Sequence, residues 1–173
     1  VVVSDGAMGT MLQAYDLDIE SDFEGHEGCN EILNVTRPDV VRAIHDAYFE
    51  VGADCVGTNT FGSNFGNLGE YDIVERTYEL AEAGARVARE SADSWSTDDR
   101  PRWVLGSMGP GTKLPTLGHS PFALLRDYYA DCARGLADGG ADAILIETTQ
   151  DLLQAKAAVI GAKRGLAQVG ADL

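Results

Sequence analysis

The residues with the clearest chemical potential open the chain. Asp5-Gly6-Ala7-Met8-Gly9-Thr10 sets a carboxylate at the end of the apolar run Val1-Val2-Val3 and follows it with small residues. Small side chains let backbone N–H groups approach a ligand closely and form a concave donor nest. Such a nest suits a carboxylate, and Asp5 suits an ammonium group, so the segment is a candidate grip for both ends of an amino acid. The same residues also describe a plain turn capped by Asp5, and spacing alone does not separate the two readings. Glu147 is the second candidate. It follows Ile144-Leu145-Ile146 directly, so a charged side chain emerges from a buried run. Burying that charge unpaired costs several kcal/mol, so a cationic partner is expected: a substrate amino group or a neighbouring Lys or Arg.

Other chemistries fail on spacing. Gly106-Ser107-Met108-Gly109-Pro110-Gly111-Thr112-Lys113 looks like a phosphate loop, but Thr112 separates Gly111 from Lys113 and breaks the GxxxxGK[ST] register. No GxGxxG links a strand to a helix, so a dinucleotide site has no support. His26 and Cys29 are three apart in a loop, and two donors do not make a tetrahedral metal site. Cys29, Cys55 and Cys132 are scattered and form no CxxC pair, which argues against a disulfide framework and fits a reducing, cytoplasmic setting. His45 falls within a helical pattern as a packed or surface residue. His119 lies in a long loop that can face the site, and neither histidine is assigned a catalytic role.

Composition narrows the partners. With 28 acidic against 13 basic residues the net charge is -15, which disfavours nucleic acid and anionic membranes. The acids are spread along helices and read as a solvated surface. No apolar stretch reaches membrane-spanning length, and Val1-Val2-Val3 lacks the basic flank of a signal peptide. The chain opens without Met, so residues are expected to precede Val1.

The elements that must hold Asp5 and Glu147 alternate between short β-like runs and longer helical ones, the pattern of parallel strands joined by crossover helices. Strands are expected at Val1–Ser4, Ala53–Thr58, Trp103–Ser107 and Asp142–Ile146. Helices are expected at Pro38–Val51, Tyr71–Ser94, Pro121–Asp138 and Asp151–Arg164, with Gly52, Gly139 and Gly165 as stops. Gly-Ala-Asp precedes two of these strands, at 52–54 and 140–142, and recurs at 170–172. The fold class is therefore α/β, a (β/α)8 TIM barrel of which this chain supplies about four βα units. A whole barrel of this kind takes about 250 residues and carries its reacting groups at the carboxyl ends of the strands. Here those ends carry Asp5, Thr58-Asn59-Thr60, Ser107 and Glu147.

Five segments carry a family resemblance: Asp5–Gln13, Cys29–Pro38, Gly57–Gly62, Gly106–Pro110 and Ile146–Thr148. Together they resemble the homocysteine S-methyltransferase family over nearly the whole chain. Within it, the 30–38 segment and the 106–117 loop are most like the homocysteine-binding domain of cobalamin-dependent methionine synthases, rather than the betaine- or S-methylmethionine-dependent enzymes.

The resemblance implies that Asp5 and Glu147 bind the homocysteine amino group, that N–H groups near Ala7 and Met8 hold its carboxylate, and that Thr58 lines the same pocket. It implies zinc held by three cysteines in the half of the barrel absent from this chain, positions that Cys29, Cys55 and Cys132 do not match. Coordination to zinc would deprotonate the homocysteine thiol, whose free pKa is near 8.5, for attack on the methyl group of methylcobalamin. Methylcobalamin and the folate donor would be bound by other domains of the same polypeptide, so residues 1–173 are expected to be inactive alone. Two alternatives remain: a homocysteine S-methyltransferase using a small methyl donor, and a non-catalytic half-barrel scaffold.

Overall fold

A computed structural model describes residues 1–173. Three parallel strands, β1 (Cys55–Gly57), β2 (Trp103–Met108) and β3 (Ala143–Ile146), pair in the order β1-β2-β3. Cys55 is opposite Trp103, and Leu105 is opposite Ala143. Parallel neighbours need crossover connections, and helices supply them.

Seven helices complete the chain: α1 (Gly9–Leu12), α2 (Leu33–Thr36), α3 (Pro38–Glu50), α4 (Phe65–Leu68), α5 (Thr77–Trp95), α6 (Phe122–Asp138) and α7 (Leu152–Val169). Pro38 starts α3 without sacrificing a needed N–H. Asp151 caps α7 by accepting from the N–H groups of Leu153 and Gln154 at 2.8 and 3.0 Å. None of the helices is long and apolar enough to cross a membrane.

The main core lies between the sheet and the helices. Val56, Val104 and Met108 meet an alanine-rich set from α5, α6 and α7 that includes Ala81, Ala85, Ala133, Ala157 and Ala158. Glycine brings the helices closer still. A Cβ on Gly135 of α6, or on Gly139 just past its end, would come within 2.5 Å of the Tyr78 or Glu82 carbonyl of α5, and one on Gly165 of α7 within 2.3 Å of the Ala130 carbonyl of α6. Side chains alternate along a strand, so Val104 and Met108 face the helices while Leu105 and Ser107 face the opposite side. That second face, at the carboxyl ends of the strands, carries the site.

Three expected boundaries are corrected. Val1–Ser4 forms no full strand: Ser4 makes a single parallel bridge to Cys55, with Asp5 N–H donating to the Cys55 carbonyl at 3.0 Å. The segment is paired on that side alone, and Val1 and Val2 extend into solvent. The long second helix begins at Thr77, not Tyr71, because Asp72 adopts a left-handed conformation (φ 57°) and two 3-10 turns precede it. The last helix runs through Gly165 to Val169, because Gly165 serves the contact with α6. The left-handed stop is Gly170, at φ 68°.

Candidate functional site

Asp5 is fixed from both sides. Its Oδ2 accepts from the Gly57 N–H at 2.9 Å and its Oδ1 from the Ser4 hydroxyl at 3.1 Å. Burial raises its pKa against these bonds, and the Glu147 charge adds to the rise. Beyond Asp5 the chain turns past Tyr48, whose hydroxyl donates to the Ala7 carbonyl at 2.9 Å. The approach at Gly6 is close, since a Cβ there would lie 3.0 Å from that hydroxyl. The N–H groups of Ala7 and Met8 donate to no acceptor within the chain.

Glu147 leaves the end of β3 half-buried. No Lys, Arg or His lies within salt-bridge distance of it, so of the two cationic partners the sequence left open, a neighbouring Lys or Arg is absent. Its Oε1 instead accepts from the Ser107 hydroxyl at 2.7 Å. The next residue, Thr148, holds φ 57°, a conformation that a β-branched residue adopts only when its surroundings impose it. Thr149 contributes by donating its hydroxyl to the Glu147 carbonyl at 3.2 Å.

All five site residues expected from the sequence, Asp5, Ala7, Met8, Thr58 and Glu147, line one cavity of about 530 Å³. The cavity holds three carboxylic residues, Asp5, Glu31 and Glu147, and no basic side chain. Thr58 reaches the wall with 4% of its surface exposed, and its hydroxyl contacts Thr60 and the Ser107 N–H.

Four further lining residues were not assigned to the site from the sequence: Asn30, Glu31, Asn59 and Phe61. Glu31 is 8% exposed; its Oε1 accepts from the Gly62 N–H at 2.7 Å, and burial pushes its pKa up. Gly62 must lack a side chain, because its Cβ would sit 2.6 Å from that oxygen. Asn59 donates to the Asn30 carbonyl at 2.7 Å and to Asn34 Oδ1 at 3.0 Å, while Asn34 returns a bond to the Asn59 carbonyl at 2.8 Å. Ser107 and Asn59 stood at expected strand ends, which was their signal. Glu31 had none beyond its place in the 29–38 segment.

The 109–120 loop is pinned beside the site. Gln154 donates to the Pro110 and Lys113 carbonyls, Asp151 accepts from the Thr116 N–H at 3.0 Å, and Lys113 pairs with Glu70 at 3.5 Å. Lys113 therefore points to no phosphate cradle, and His119, outside the cavity lining, accepts from the Leu114 N–H at 3.3 Å.

The three cysteines do not suit a metal. All are free and buried, burial pushes Cys29 and Cys132 up to about 12, and no three His, Cys, Asp or Glu are grouped so that they could hold a metal ion. A metal-binding thiol must lose its proton, which these surroundings oppose.

Comparison with known proteins gives a consistent picture. The family model for homocysteine S-methyltransferase matches residues 2–171. The chain is 61% identical over 170 residues to a methionine synthase of Mycobacterium tuberculosis and 59% identical to one of Mycobacterium leprae, covering 98% of this chain in each case. It spans only 14% of the length of either relative. Among solved structures, the homocysteine methyltransferase MmuM from Escherichia coli superposes with a TM-score of 0.74 in its oxidized and metallated forms, at 20% identity. The match covers 95% and 98% of this chain and 59% and 60% of that one, and at this identity it speaks for the fold.

Proposed function

The chain belongs to the homocysteine S-methyltransferase family, and from that premise we propose that its cavity binds L-homocysteine as the methyl acceptor of a methionine synthase. The single observation that carries this reading is the cavity itself. It sets two half-buried carboxylates with no internal cation, Asp5 and Glu147, beside two undonated backbone N–H groups, Ala7 and Met8. An α-amino acid supplies both missing charges. Its ammonium neutralises Asp5 and Glu147, and its carboxylate takes the N–H groups as charge-assisted bonds.

The sheet and the Val3–Asp5 segment together read as four of the eight strands of a (β/α)8 barrel, and residues 1–173 as the first half of one homocysteine-binding domain. In the proposed reaction the homocysteine sulfur forms a bond to a methyl carbon, its thiol proton departs, and the bond to the donor breaks with its electron pair left on the donor. This chain's contribution is to hold the amino acid. Asp5 and Glu147 fix the ammonium and the turn at Ala7–Met8 fixes the carboxylate, which removes rotational freedom from the reacting partner.

The zinc implied by the family finds no fit in Cys29, Cys55 or Cys132, and its ligands belong to residues outside this chain. Methylcobalamin, which would supply the methyl group, and the folate domain belong on this reading to other parts of the same polypeptide. Identity of 59–61% to methionine synthases favours the methionine synthase reading over a homocysteine S-methyltransferase using a small methyl donor. The unspent N–H groups and cation-free carboxylates disfavour a mere scaffold.

Isothermal titration of L-homocysteine into the purified chain, in zinc-free buffer, tests the reading. Binding that is lost in Glu147→Ala, and absent for 4-mercaptobutyrate, which lacks the amino group, is expected. A folded chain that binds both compounds equally, or neither, overturns it.

A further inference from the structure

Glu147 has one oxygen committed to Ser107, and what holds Ser107 is a closed circuit of hydrogen bonds at the end of β2. The Ser107 N–H donates to Thr58 Oγ1 at 2.9 Å. Thr60 Oγ1 donates to the Ser107 carbonyl at 2.7 Å. The two threonine hydroxyls are 2.5 Å apart. Each hydroxyl has one proton to give. That of Thr60 goes to the Ser107 carbonyl, so Thr58 is the donor between the threonines. The circuit runs from the Ser107 N–H through Thr58 and Thr60 back to the Ser107 carbonyl, and every proton in it has one direction. The Ser107 hydroxyl stays outside the circuit, with its own proton directed to Glu147 Oε1 at 2.7 Å.

Burial makes the circuit rigid. Thr58, Thr60 and Ser107 are 4, 0 and 4% exposed, so water does not compete for these groups. The strand ladder does not require it either. Thr58 N–H already bonds the Leu105 carbonyl at 2.9 Å, and the threonine hydroxyls are added to that pairing. Thr60 does not line the cavity, whereas Ser107 and Glu147 do. An effect of Thr60 on ligand binding is therefore indirect, through the residues it hydrogen-bonds, Thr58 and Ser107, or through its chain neighbours Asn59 and Phe61.

We propose that Ser107 is a positioning residue for Glu147, and that Thr58 and Thr60 set it by clamping both of its peptide groups, so that Glu147 presents Oε2 to the ammonium of the bound amino acid. The proposal rests on the homocysteine-binding reading of the cavity, and it assigns Thr58 an action through Ser107. The strained Thr148 serves the same end from the other side of Glu147, since the backbone leaves β3 there at φ 57°.

The test uses the purified chain as wild type, Ser107→Ala, Ser107→Thr and Thr60→Val, with two readouts. The first, which needs no ligand, is the side-chain ¹³C spectrum of selectively labelled glutamate. Glu147 is assigned by its loss in Glu147→Gln, and its three-bond couplings report the rotamer. Single-rotamer couplings are expected in wild type and Ser107→Thr, and averaged couplings in Ser107→Ala. The second is calorimetric affinity for L-homocysteine. It is expected to fall about tenfold in Ser107→Ala, the scale of one hydrogen bond to a charged group, and by less in Thr60→Val, with recovery in Ser107→Thr. Unchanged Glu147 couplings in both folded Ser107→Ala and folded Thr60→Val overturn the proposal. A wild-type chain that binds no homocysteine overturns the amino-acid reading instead, and the couplings still decide the role of Ser107.

Discussion

The two walls of the cavity use their polar atoms differently. The strand-end wall, Asp5 through Met8 with Ser107 and Glu147, leaves Glu147 Oε2 and the N–H groups of Ala7 and Met8 without internal partners. In the loop wall Asn59 and Glu31, backed by Asn34, spend their side chains within the chain, and the Asn30 side-chain amide alone makes no hydrogen bond. Asn59 and Asn34 exchange bonds, and Glu31 takes the Gly62 N–H. Unspent polar atoms at the edge of a cavity are a standing invitation to a ligand, whereas spent ones fix the loops that shape it. The first wall is therefore expected to govern affinity and the second to govern stability.

The largest expected separation comes from Glu147→Ala. Affinity for homocysteine should fall about a hundredfold or more, since truncating one partner of a hydrogen-bonded charge pair typically costs 2–5 kcal/mol. The urea midpoint should hardly move, because the side chain is only half-buried. A large loss of stability in this variant would break the comparison.

Asn34→Ala is the counterpart. The side chain is 3% exposed and donates to the Asn59 and Leu80 carbonyls at 2.8 and 3.1 Å. Its loss leaves buried carbonyls without donors and should cost roughly 2–3 kcal/mol in urea unfolding. Residual affinity in the folded fraction should stay within a few-fold of wild type.

Acid titration sharpens the contrast within one molecule. Asp5 is raised by burial and by Glu147, and it must be ionised to hold an ammonium. Homocysteine affinity should therefore begin to fall at a higher pH than an ordinary aspartate would give, and Asp5→Asn should remove that step in calorimetry. His45 acts on stability with the loop wall's logic. It is fully buried with both ring nitrogens unpartnered, and burial lowers its pKa from 6.5 to about 4. Between those values the unfolded chain binds the proton and the folded one does not, so stability is lost as pH falls from 6.5 towards 4. The loss amounts to on the order of 3 kcal/mol, and His45→Leu should flatten it. Glu31 and Asp5, both raised, work in the reverse direction, gaining stability as pH falls.

The smallest effect is expected from Glu31→Gln. The amide oxygen can still accept the Gly62 N–H while the cost of a buried charge disappears. Stability at neutral pH should therefore rise by about 1 kcal/mol or less, and the difference from wild type should vanish in acid as Glu31 itself takes a proton.

Much of the strand-end wall was legible beforehand because it follows from chain order. A charge placed directly after an apolar run, as Glu147 is after Ile144–Ile146, falls at the carboxyl end of a strand, although the run expected to be buried is only partly so, with Leu145 38% exposed. Asp5 and the small residues behind it follow the same rule. The loop wall was not legible because its chemistry is long-range. Glu31 means nothing until Gly62, 31 residues on, brings it an N–H, and Asn34 needs Asn59, 25 residues on. Nor did Gly165 disclose itself, since a glycine near a helix end reads as a stop. It lies within α7 because the Ala130 carbonyl of α6 leaves no room for a Cβ.

Apolar periodicity and punctuation by Gly and Pro thus determined the alternation of strands and helices, and with it the end of the sheet at which Asp5, Thr58, Ser107 and Glu147 had to meet. These are local consequences of side-chain direction and backbone freedom, and they travel with the sequence. Tertiary structure alone decided which oxygen of Glu147 is spent, that its partner is Ser107 and no cation, and that the Thr58 hydroxyl is committed to Thr60. Hydrogen-bond partners are chosen by distances of a few ångströms between residues far apart in the chain, and those distances come into being only when β1, β2 and β3 lie side by side.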